Sequence, residues 1–129
     1  MRQSENLCPR YQYAVEIIAR RWTALIVKVL IDGPKRFNEI SAALEVVSDR
    51  MLSERLKDLE REGVVERHVH PESPIRVEYK LTTKGIALEP ILQAIEYWSK
   101  AWITVEEATG QTDDHHERQI PLTVEVLDS

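Results

Sequence analysis

The chain has 129 residues, enough for one domain with its own core, and its 43% hydrophobic and 30% charged content excludes a fibrous or disordered class. No apolar run approaches the roughly 18 residues that suggest a membrane span, residues 1–11 lack the apolar core of a secretion signal, and the single cysteine, Cys8, excludes an intrachain disulfide. Net charge is −5 but uneven: residues 1–105 hold 16 Lys/Arg against 15 Asp/Glu, and residues 106–129 hold one Arg against seven Asp/Glu.

These features predict a cytoplasmic protein with no membrane partner. They also divide the chain into a near-neutral domain over 1–105 and an acidic tail over 106–129. Because bulk charge does not favour nucleic acid, any such reading has to come from a motif and a local basic surface.

Pro9 opens a predicted first helix of about ten residues, with Tyr11, Val15 and Ile18 along one face. In the next segment Trp22, Leu25, Ile26, Val29 and Leu30 recur at helical spacing and predict a buried stripe. Gly33 and Pro34 stop that helix. Asn38 is the expected cap of a third helix whose inward face is Phe37, Ile40 and Leu44. Glu45, Val46 and Val47 form a turn. Ser48 caps a fourth helix, with Asp49 suiting its positive end, and Met51, Leu52, Leu56 and Leu59 face inward. Gly63 closes it.

Val64, Val65, Arg67 and Val69 then predict a strand. Pro71 and Pro74 mark an irregular tip, and the alternation of Val77, Tyr79 and Leu81 predicts the return strand. Thr82 or Thr83 caps a last helical stretch, and Pro90 occupies its first turn or kinks it. Beyond it Ile91, Leu92, Ile95, Trp98, Trp102 and Ile103 form a wide apolar stripe. Residues 106–112 read as a linker, and the alternation of Ile120, Leu122, Val124 and Val126 suggests a short strand.

Helix, turn, helix and hairpin over residues 36–82 are the order of a winged helix-turn-helix. The expected fold is mainly α with a small β-hairpin, flanked by N- and C-terminal dimerisation helices. Such a unit commonly lays its second helix in the DNA major groove. With the leucines inward, Arg50, Ser53, Glu54 and Lys57 face outward. Arg50 and Ser53 occupy the turns that reach base edges, and Arg50 can grip guanine bidentately. Lys57 suits a phosphate, as does Arg36 just before the motif, and Arg76 near the hairpin tip can enter a minor groove or hold a phosphate. Ser48 completes the expected DNA-binding set. The outer apolar stripes need a partner, and a second copy would cover Tyr11, Leu92, Ile95, Trp98 and Trp102. The expected partners are double-stranded DNA with a pseudo-palindromic operator and the chain itself as a homodimer.

Several runs carry a family likeness: Cys8-Pro9, Arg21-Trp22, Asp32-Gly33-Pro34-Lys35-Arg36-Phe37, Met51-Leu52-Ser53, Leu56-Lys57-Asp58-Leu59-Glu60, Gly63-Val64-Val65-Glu66-Arg67, and Val77-Glu78-Tyr79-Lys80-Leu81-Thr82 with Lys84-Gly85. In this order and spacing the chain resembles the HxlR-type winged-helix transcriptional regulators, related to the MarR type, over roughly residues 7–103. It departs from them at Val46, where relatives usually carry Gly. It also departs at Asp49 and Glu54, where they often carry amides. Cys8 precedes Arg10 near a helix start, and both features lower a thiol's pKa. The resemblance implies that such a Cys-Pro thiol senses oxidants or electrophiles.

His68-x-His70 places two rings on one strand face, but no further ligand completes a metal site. No phosphate loop, nucleophile elbow or carboxylate pair stands out, so neither enzyme activity nor a cofactor is expected. The competing reading is a winged-helix protein-interaction module that does not bind DNA.

Overall fold

A computed structural model describes residues 7–110 of the chain. The expected strand over 120–126 and most of the acidic tail lie outside the described residues. The described chain divides into two compact units at Glu89–Pro90.

In the first unit, helix α1 (Pro9–Ala19) starts with proline at its first position, where a missing N–H costs nothing. None of its residues is buried. Helix α2 (Thr23–Ile31) follows a three-residue joint and buries Thr23, Ile26, Val27 and Leu30. This corrects the expected stripe: Leu25 is 43% exposed, and Trp22 and Val29 are only half-buried. The segment TALIVKVLI is apolar almost all round, so spacing alone does not select the face that enters the core.

Helix α3 (Phe37–Ala43) begins two residues earlier than a cap at Asn38 requires. Arg36 is the residue before it, and the Glu39 carboxylate accepts the Arg36 backbone N–H at 2.9 Å. Lys35 fixes this start: its N–H donates to the Tyr79 carbonyl at 2.9 Å and its carbonyl accepts from Tyr79 N–H at 2.8 Å. Helix α4 (Asp49–Arg61) is capped by Ser48, whose Oγ accepts from Met51 N–H at 3.1 Å. It buries Leu52, Leu56 and Leu59 against the core of Ile26, Leu30, Ile40 and Val47. Val46 is 77% exposed and has no positive φ, so the turn needs no left-handed residue there. Gly63, at φ 72°, ends α4 in the left-handed conformation that favours glycine.

Strands β1 (Val65–His70) and β2 (Arg76–Leu81) pair antiparallel, with Val65 opposite Leu81, Arg67 opposite Tyr79 and Val69 opposite Val77. Thr82 caps the short helix α5 (Thr83–Ile86) by accepting from Gly85 N–H at 3.1 Å. A Cβ on Gly85 would sit 2.3 Å from the Val64 carbonyl oxygen, a backbone atom that cannot swing aside. Gly85→Ala should therefore destabilise the fold by about 1–3 kcal/mol, the usual cost of overpacking. Thermal unfolding followed by circular dichroism should show a midpoint several degrees lower, and an unchanged midpoint would refute the close approach.

The last helical stretch is two helices, α5 and α6 (Glu89–Trp102), with Pro90 in the first turn of α6. In the second unit Ile91, Ile95, Trp98 and Trp102 are all solvent-exposed. Residues 106–109 are helical rather than linker, within α7 (Val105–Thr109), which Thr104 caps at Glu107 N–H. No helix among the described residues is long and apolar enough to cross a membrane.

Candidate nucleic-acid interface

The Ser48 cap sets the phase of α4. With its three leucines inward, Arg50 and Lys57 are exposed and Ser53 is half-buried. The Arg50 side chain is 88% exposed and lies 3.4 Å from Glu54, one turn further along. Such an exposed pair is worth under about 1 kcal/mol and is screened by salt, so it orients the guanidinium without committing it. The Ser48 oxygen used in the cap accepts a hydrogen bond, which leaves the hydroxyl proton available to a phosphate.

Asp49 does not face solvent as an unopposed charge. Ser41 Oγ donates to its Oδ1 at 2.7 Å, which ties α3 to the first turn of α4. Sequence periodicity did not reveal this contact.

The Lys35–Tyr79 bridge, also missed by periodicity, joins the start of α3 to the wing. Arg36 and Arg76 consequently line one cleft of about 470 Å³, together with Asn38, His70 and the wing tip from Glu72 to Ile75. The hairpin register puts Glu66, His68 and His70 opposite Lys80, Glu78 and Arg76. On this polar face His68 Nε2 is 2.7 Å from Glu66, His70 Nε2 is 2.7 Å from Glu78, and Arg76 Nε is 3.6 Å from the same Glu78 oxygen. The two histidines share a face, as their spacing suggests. Among the described residues no group of three His, Cys, Asp or Glu could hold a metal ion.

Cys8 occupies the position before α1 and is exposed. The backbone N–H groups of Tyr11 and then Arg10, with a smaller part from the Arg10 side chain, hold its thiol below the ordinary value. Tyr11, Ile95, Trp98 and Trp102 are exposed, and Leu92 is half-buried. An apolar groove of about 530 Å³ runs along Pro90, Ile91, Ala94, Ile95 and Trp98.

A capped helix following a short helix and a turn, with a two-stranded wing pinned beside it, defines a winged helix-turn-helix protein. The model of the HxlR-like helix-turn-helix family matches residues 17–107, and the chain belongs to that family. It is 58% identical over 103 residues to the uncharacterized HTH-type transcriptional regulator YvaP of Bacillus subtilis (strain 168), covering 80% of this chain and 94% of that one. Its backbone matches the reduced form of the transcriptional regulator YodB from Bacillus subtilis with a TM-score of 0.70 at 44% identity, over 75% of this chain and 95% of that one. The redox regulator HypR in its oxidized form matches with a TM-score of 0.70 at 36% identity, over 76% of this chain and all of that one. Structures of YodB also exist in diamide-treated and quinone-bound forms. The chain is thus a transcriptional regulator, and the reading as a module without DNA binding is not favoured.

Proposed function

We propose that this regulator acts in the cytoplasm as a homodimer that reads a pseudo-palindromic operator, and that Cys8 makes its affinity responsive to oxidants or electrophiles. The observation that carries the DNA reading is the exposure of Arg50 in the first turn of a helix phased by the Ser48 cap. Arg50 and Ser53 approach base edges, while Ser48, Lys57, Arg36 and Arg76 approach phosphates. Arg36 and Arg76 share one cleft, and this favours their meeting the same stretch of backbone. Tyr11, Leu92, Ile95, Trp98 and Trp102 lie under the second copy. An exposed thiol with a lowered pKa at a helix start suits sensing. HypR is described as a redox regulator, and YodB has been captured with diamide and with a quinone.

Selection of bound duplexes from a random pool tests the DNA reading. Two inverted half-sites should emerge, about 34 Å apart from centre to centre. Arg50→Ala should cost about 1–3 kcal/mol on the selected duplex and relax preference at one base pair. Lys57→Ala and Arg76→Ala should instead weaken all sequences alike, and each should flatten the salt dependence by about one unit of slope. Normal operator binding by Arg50→Ala would refute the assigned face, and a single asymmetric half-site would refute the dimeric reading.

A further inference from the structure

Helix α1 has no buried residue, yet it is fastened to the body. Tyr13 Oη donates to the Glu62 carboxylate, 2.9 Å from each oxygen. Arg20 Nη1 lies 3.3 Å from Asp58 Oδ2. The joint after α1 is held as well: Arg55 Nε donates to the Arg21 carbonyl at 2.8 Å, and Arg55 Nη1 pairs with Asp58 at 2.8 Å. Arg55, Asp58 and Glu62 lie three and four residues apart, so they share one face at the C-terminal end of α4. The opposite end carries Ser48 and Arg50. Partial burial pushes the Asp58 carboxyl up, but the hydrogen bond and charge of Arg61, joined by Arg20 and Arg55, outweigh it and lower the pKa.

The joint also holds two locally unfavourable features. Trp22 has φ 75°, a left-handed conformation costly for a bulky residue. Next to it, the buried Thr23 hydroxyl has no hydrogen-bond partner among the described residues. Such features persist only where surrounding contacts over-determine them. The contacts here include those of Arg55 with the Arg21 carbonyl and of Asp58 with Arg20, beside the Arg21 guanidinium stacked 4.4 Å from the Trp22 ring centre.

We propose that the seam of Arg55, Asp58 and Glu62 couples the position of α1 to that of the DNA-reading helix, with Tyr13 and Arg20 as its counterparts on the first helix and joint. These are positioning residues. The proposal rests on reading α4 as the DNA-contacting helix and does not depend on thiol chemistry. Coupling of this kind is reciprocal: if α1 biases α4, then DNA that holds α4 must also hold α1.

Hydrogen exchange followed by mass spectrometry tests this on the full chain, with a duplex enriched from a random pool by the wild type. In the wild type, binding should slow exchange both in α4 and, several-fold, in residues 10–19. Tyr13→Phe, which removes one hydroxyl and keeps the ring, and Asp58→Asn should still bind the duplex and slow exchange in α4, but lose the slowing in α1. Glu62→Gln keeps an acceptor for Tyr13 and should retain it. Slowing of α4 alone in the wild type would overturn the coupling. Equal slowing of α1 in Tyr13→Phe and Asp58→Asn would overturn the seam. Absence of any slowing in wild-type α4 on an enriched duplex would overturn the DNA reading and this proposal with it.

Discussion

A chain carrying Trp98→Asp and Trp102→Asp should sediment as the 15.0 kDa monomer and lose operator binding in the same step, whereas the wild type should run at twice that mass. On α6, Ile91, Ile95, Trp98 and Trp102 are spaced four, three and four residues apart, the seam of one helix against another. Trp98 is 54% exposed and Trp102 36%. Aromatic side chains bury 150–250 Å² each when fully covered, so covering the exposed part of each tryptophan contributes on the order of 2 kcal/mol at about 25 cal/mol per Å². A two-fold axis counts both tryptophans twice. Aspartate removes that contribution and sets carboxylates facing each other in a dry contact, a further cost of several kcal/mol. The loss at DNA follows from valency. Two linked reading heads raise apparent affinity by about 10²–10⁴ over one, so a folded monomer should fall back to weak, half-site binding. Sedimentation at micromolar concentration and a gel shift on one sample test both halves. A dimer that survives both substitutions would place the interface elsewhere, and a monomer that binds the full operator normally would detach binding from dimerisation.

Much of this architecture is legible in the sequence because its signals are local. Ser48, Gly63 and Thr82 act through backbone bonds within a few residues, and each stands where the cap was expected. The leucines of α4 are equally readable, since polar residues separate them and give the helix one apolar face. Helix α2 is the opposite case, too uniformly apolar for its buried side to be chosen by spacing. Asn38 failed as a cap because a tertiary contact decided the issue: the pairing of Lys35 with Tyr79 carries the extended chain up to Arg36. A one-residue bridge has no period to detect. The same holds for Ser41 with Asp49, and for Tyr13 and Arg20 with the end of α4. These are polar side chains brought together by packing across 8 to 49 residues, and nothing in their spacing announces them. The outward set on α4 was recoverable because the inward set was, although the partial burial of Ser53 was not.

Replacing Cys8 with serine should leave the affinity of the reduced protein within about a factor of two. A serine hydroxyl at this position before α1 can accept from the first turn at least as well as a thiol. The same substitution should abolish every effect of diamide or a quinone on DNA binding. The thiol is exposed, and N–H groups of the first turn favour its thiolate, the form that attacks. With diamide two thiolates are oxidised to one disulfide while the azo bond is reduced to a hydrazine. With one cysteine per chain, the second sulfur must come from the other subunit's Cys8 or from a small thiol. With a quinone the thiolate adds to the ring carbon, and after proton transfer the ring is left as a hydroquinone. Either product places new bulk at the head of a helix that has no buried residue of its own. If α1 lies in the dimer contact, this displacement changes the separation of two reading helices that must match a repeat of about 34 Å. A shift of a few ångströms there breaks simultaneous contact with both half-sites. The measurement is DNA affinity before and after each reagent, with intact mass and non-reducing gels to identify the product. A Cys8 that reacts no faster than free cysteine, in a protein whose affinity stays constant after modification, would make it a structural residue and place the signal at another site on the regulator.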